Sequence, residues 1–116
     1  MWNPPLGIVP HEKLSEGLLV VSELGLFGFA DRKGTVKIQP IYEAALPYTD
    51  GLACVLLNGK WGFIDRGGNM VIKPQFHAPA AFVNGVALVG DHKTDTSRFI
   101  NRKGVTLVPR IPIDAS

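Results

Sequence analysis

Apolar positions along this chain gather in short runs broken by turn dipeptides, and no stretch shows the spacing of three and four residues that marks one face of a helix. The pattern is clearest in GLACVLLNGKWGFIDRGGNMVIKPQF, Gly51 to Phe76. Leu52 to Leu57 is apolar throughout, and Asn58-Gly59 then supplies a dipeptide that tolerates the positive φ angles of a two-residue hairpin turn. Trp61 to Asp65 forms the returning strand. Asp65-Arg66-Gly67-Gly68 closes it, with Asp where a type I turn starts and Gly where it ends. The pattern predicts a third strand from Met70 to Lys73, stopped by Pro74, which has no N–H to give to a ladder.

The unit is copied. At an offset of 34 positions Gly28 matches Gly62, Phe29 Phe63, Asp31 Asp65, Gly34 Gly68, Ile38 Ile72, Pro40 Pro74, Tyr42 Phe76 and Tyr48 Phe82, with no gap. The same offset carries Gly17 to Gly51 to Gly85. Such a period belongs to repeat architectures, whose units bury an apolar face only against a neighbour. One domain is predicted over residues 1–116: a cap or partial repeat at 1–15, repeats at 16–49 and 50–83, a degenerate third at 84–110 and a tail at 111–116. In the third, Gly90 to Arg98 lengthens the hairpin tip, the offset grows to 36 (Phe63 to Phe99), and Ser97-Arg98 replaces Trp61-Gly62.

Within the second strands the alternation places Phe27, Phe29, Trp61, Phe63 and Phe99 on one face, and Gly28 and Gly62 on the other. Glycine repeated inside a strand marks close approach by another backbone or ring. The first strands are apolar on both faces and are expected to be interior. The fold class is therefore all-β, with about eight short antiparallel strands in consecutive hairpins forming a curled or stacked sheet. Propeller-like or barrel-like closure is left open, because three strands per unit fall short of a propeller blade unless Ile41 to Tyr48 holds a fourth.

Lys60-Trp61-Gly62-Phe63-Ile64-Asp65, followed by Gly68, Val71, Ile72, Pro74, Gln75 and Phe76, resembles the signature of the WG repeat, or KWG repeat, a β-rich unit of bacterial proteins. The first copy fits with Phe27 in place of the tryptophan. The repeat signature is then Phe27, Gly28, Asp31, Gly34 and Pro40, and Trp61, Gly62, Asp65, Gly68 and Pro74. The resemblance implies a non-enzymatic binding or scaffolding module; it carries over an architecture more readily than an activity.

Charge and composition narrow the classes. A net charge of +2 gives little long-range pull towards nucleic acid or anionic membranes. The single cysteine, Cys54, excludes an internal disulfide and a cysteine-based zinc cage. The N-terminal sequence lacks the pattern of a secretory signal and no run is long enough to span a bilayer, so a cytoplasmic protein, or one that has lost a leader, is expected. His11, His77 and His92 lack metal-ligand spacing, and neither a metal nor a cofactor is expected. Asp91, His92 and Ser97 are the residue types of a hydrolytic triad, but near neighbours on an extended chain do not converge as triad members from separate elements do. An enzyme is not expected.

Two binding surfaces remain. The lengthened tip, with Asp91, His92, Lys93, Thr94, Asp95 and Arg98, adds nothing to a core and lies where repeat proteins place binding insertions. The turns repeat a basic pattern, Arg32, Lys33, Arg66, Arg102 and Lys103, which stacking would line along one edge. The first reading is a non-catalytic module that binds another protein through the tip and an adjoining sheet face or edge, extending to the inhibitor or immunity partner of a toxin. The alternatives are nucleic acid or another anionic ligand on the basic edge, and a scaffolding fragment of a larger assembly. Self-association through exposed end strands is a further expectation.

Overall fold

The computed structural model describes residues 9–10, 14–90 and 97–107. Ten strands run in chain order: β1 (Val9–Pro10), β2 (Leu18–Glu23), β3 (Leu26–Asp31), β4 (Val36–Tyr42), β5 (Ala44–Ala45), β6 (Leu52–Leu57), β7 (Lys60–Asp65), β8 (Met70–Phe76), β9 (Val86–Gly90) and β10 (Ser97–Asn101). They form two four-stranded antiparallel sheets, β1-β2-β3-β4 and β5-β6-β7-β8, and the hairpin β9-β10. The chain is all-β as predicted, and the described sheets remain separate with no closed barrel. The count exceeds eight because of two-residue β1 and β5. Of these, β5 is the fourth strand concealed between Ile41 and Tyr48.

Local chemistry fixes the hairpins. Asn58 and Gly59 both take positive φ (53° and 78°) between β6 and β7, as a type I′ turn requires. Leu24 and Gly25 do the same between β2 and β3 (53° and 83°), although leucine gains nothing from that conformation. In the turns after β3, β7 and β10, Oδ1 of Asp31, Asp65 and Asn101 each accepts two backbone N–H groups: Lys33 and Thr35, Gly67 and Asn69, Lys103 and Val105. These side chains take over hydrogen bonds that a short turn cannot make with its own backbone.

Pro74 does not end its strand. β8 continues through it to Phe76, and β4 continues through Pro40 to Tyr42. The reason is a bulge: Trp61 pairs with Phe76 and Phe63 pairs with Ile72, so β8 carries extra residues opposite Gly62, and Pro74 lies among them with no ladder bond to serve. The glycine makes room. A methyl group on Gly62 would lie 2.6 Å from the Ile72 carbonyl oxygen, and one on Gly28 would overlap that of Ile38. The close approach expected at these strand glycines is therefore by the bulged neighbouring strand.

The core lies between the sheets. Leu18, Val20, Phe29, Ile38 and Tyr42 of the first sheet pack with Tyr48 against Ala53, Val55 and Ile64 of the second. The opposite face of the second sheet, Leu52, Cys54, Phe63, Ile72 and Phe76, packs with Phe82 against Ala87, Val89 and Ile100 of the β9-β10 hairpin. The two junctions are one design used twice: a face built around a phenylalanine meets a flatter face of alanine and β-branched residues. Leu19, Val21 and Ala30, on the outer side of the first sheet, are also buried.

Candidate interaction surface

Most of the lengthened tip, Asp91 to Asp95, lies outside the described residues. Arg98 is on β10, and it turns inward: Nη1 donates to Thr106 Oγ1 (2.6 Å), Nη2 reaches Gln75 Oε1 (3.5 Å), and the guanidinium sits 5.6 Å from the centroid of the Phe76 ring. Arg98 stands where the first two copies have a strand glycine, and it ties the last hairpin to β8. Trp61 and Phe27 pack half-buried against the two cores, as large rings between strands.

The basic turns lie beside acidic ones. The Arg66 guanidinium lies over Gly17 and that of Arg102 over Gly51, each covering the acidic turn of the preceding copy, Glu16-Gly17 and Asp50-Gly51. Lys37 pairs with Asp31 at 3.8 Å. Arg32, Lys33, Arg66, Arg102 and Lys103 are all exposed.

These acidic turns are themselves junction parts. The Glu16 carboxylate accepts the Gly51 N–H at 2.9 Å, and Asp50 accepts that of Gly85. Ser15 Oγ donates to the Tyr48 carbonyl (2.5 Å), while Thr49 Oγ1 accepts the Phe82 N–H (3.2 Å). The Tyr48 hydroxyl donates to the Asp65 carbonyl at 2.6 Å, and burial, with Asp65 close by, drives its phenol far above the usual range. Gly68 and Gly104 seat on the Ile38 and Ile72 side chains of the preceding copy. The signature residues Asp31, Gly34, Asp65 and Gly68 thus shape turns, and Gly28, Pro40, Gly62 and Pro74 shape bulges.

Burial also keeps the Cys54 thiol protonated, pushed up to about 11, in keeping with a small buried hydrophobe. No group of three His, Cys, Asp or Glu side chains that could hold a metal occurs among the described residues. A shallow cleft of about 360 Å³ is lined by Leu57, Asn58, Lys60, Lys73 and Pro74, and is open to solvent.

What departs from this economy is the outer face of the last hairpin. Leu88 and Phe99 are cross-strand partners, and they are 53% and 48% exposed. Their counterparts are Cys54 with Phe63 and Val20 with Phe29, all at 2% or less. Phe99 holds the register of Phe29 and Phe63, but no described element covers its side chain. Val83, 66% exposed, flanks it at the position of Ser15 and Thr49. Leu88 and Val83 escape a reading of the sequence because apolar residues in a strand pattern read as core; the signal is Val83, which replaces a hydroxyl.

Stacked antiparallel sheets, duplicated junctions and an apolar face that no described element covers define a repeat-built protein of the interaction or structural class. The family model for the WG containing repeat matches residues 27–61 and 61–90, more than half of the chain, and the protein belongs to that family. Neither the curated proteins nor the solved structures gave a significant match.

Proposed function

We propose that this chain is a non-catalytic module that binds another protein through its last hairpin, with the Leu88–Phe99 face adjoining the lengthened tip as the contact surface. One observation carries the reading: the face that is buried in each preceding copy is half exposed in this one. Contiguous exposed apolar side chains beside a polar loop are the usual mark of a protein contact. The β4 and β8 edges are unsuited to strand addition, since they carry Lys37, Pro40, Lys73 and Pro74. Nucleic acid on the basic turns is the weaker reading, because the acidic turns beside Arg66 and Arg102 offset their charge. The inhibitor or immunity partner of a toxin is one role that a binding domain of this size can fill.

The test is capture with immobilised protein followed by measured affinity for the identified partner. Leu88→Asp or Phe99→Asp is expected to weaken binding by about tenfold or more, because each puts a charge into a desolvated contact. Arg32→Ala, far from the hairpin, should leave it unchanged. If neither face variant alters affinity, the surface is not the site.

A further inference from the structure

We propose that the exposed face of the last described hairpin is a two-fold contact between two copies of this chain, the patch of Leu88, Phe99 and Val83 on one meeting the same patch on the other. The inference rests on the reading of this face as a binding surface, and it names the occupant. Inside the chain, the phenylalanine-centred face is always covered by a face of alanine and β-branched residues: Ala53, Val55 and Ile64, then Ala87, Val89 and Ile100. A head-to-tail neighbour would have to offer its own equivalent, Leu19, Val21 and Ala30. These are already buried, at 6%, 0% and 0%, so that end of a second copy is closed. That mismatch favours a like face as the occupant.

The polar positions around the face agree. Where a successor unit follows, Ser15 or Thr49 makes a hydrogen bond with it, and Glu16 or Asp50 accepts the N–H of its turn glycine. The last hairpin has Val83 for the hydroxyl and Asn84 for the acid, although the turn is unchanged: Asn84 and Gly85 take φ of 54° and 82°, as Asp50 and Gly51 take 56° and 82°. A two-fold contact puts the same turn on both sides of an end only 26 × 19 Å across, so a carboxylate here would place two like charges in one small seam. Asparagine removes that repulsion, and valine extends the apolar area. With a cross-section of 26 × 19 Å, the end can cover about 500 Å² per partner, the lower limit of a specific interface, so the dimer should be weak and concentration-dependent.

Sedimentation equilibrium from about 1 to about 500 μM tests it, the range an interface of this area calls for. The wild-type mass should rise from 12.6 kDa towards twice that value. Leu88→Asp and the milder Phe99→Ser should hold the monomer mass throughout, with circular dichroism unchanged. Asn84→Asp discriminates between occupants: it should weaken a two-fold dimer by about tenfold or more at low salt, with partial recovery at high salt. A wild-type chain that stays monomeric overturns the proposal, as does a dimer indifferent to Leu88→Asp or strengthened by Asn84→Asp. A monomer that still binds a different protein through Leu88 would sink the self-association and leave the binding function standing.

Discussion

Glycine at position 62 is the residue on which the repeat's geometry turns. Its φ is not unusual, so what it provides is absence of a side chain where the bulge of β8 crosses β7. Gly62→Ala would drive a methyl group into backbone atoms at 2.6 and 2.7 Å, the Ile72 oxygen and the Pro74 nitrogen, neither of which can rotate away. It should destabilise the chain by about 3 kcal/mol or prevent folding. Gly67→Ala makes the control: the nearest atoms are the flexible Asn69 and Asp65 side chains at 3.2 and 3.4 Å, and the loss should stay below about 1 kcal/mol. Urea unfolding of the two variants side by side checks the difference.

Among elements, the three Asx-type turns make a pH experiment. The N–H of Thr35 holds the Asp31 carboxyl below its ordinary 3.8, and that of Asn69 does the same for Asp65. A folded-state value below the unfolded one means stabilisation that is present above about 3.8 and is lost as pH falls through the depressed value. Asn101 performs the same bonding with an amide oxygen that does not titrate there. The double variant Asp31→Asn/Asp65→Asn should keep its unfolding midpoint at neutral pH and show a flatter decline in stability below about pH 4. An unaltered acid limb would assign that decline to other carboxylates. Turns such as Asn58-Gly59 and Asp65 to Gly68 are legible in sequence because their chemistry is confined to neighbours. Pro74 reads as a stop in sequence because its tolerance depends on Gly62, a residue of another strand. β5 is only hinted at, since Ala44-Ala45 has no pattern of its own and takes its strand form from Leu56 and Val55.

For the whole molecule, the linear arrangement predicts that cohesion is divided between junctions. The radius of gyration is 15.9 Å, against about 13 Å for a compact domain of this length. Cys54 lies in the second junction at 2% exposure, so its thiol reports when that junction opens. Labelling by a disulfide reagent in native buffer should run at least about a thousandfold slower than with the unfolded chain. Ile100→Ala, fully buried across the same junction, should accelerate it in proportion to a loss of about 2–4 kcal/mol, while Leu19→Ala, at the far side of the first sheet, should accelerate it much less. Equal acceleration by both would mean that the stack opens as a single cooperative body. The exposure of Phe99 is the least legible feature at this scale: the pattern assigns its face, but coverage is decided by what lies beyond it.

The lending of β5 has a practical corollary. Glu43 and Ala44-Ala45 come from the end of one repeat but serve the next sheet, where the Glu43 carboxylate also accepts the N–H groups of Asn58 and Gly59. Anyone excising the second unit as an independent fragment should cut ahead of Glu43, because a cut at Asp50, where the repeat begins by alignment, would leave β6 with a raw edge and its hairpin unclasped.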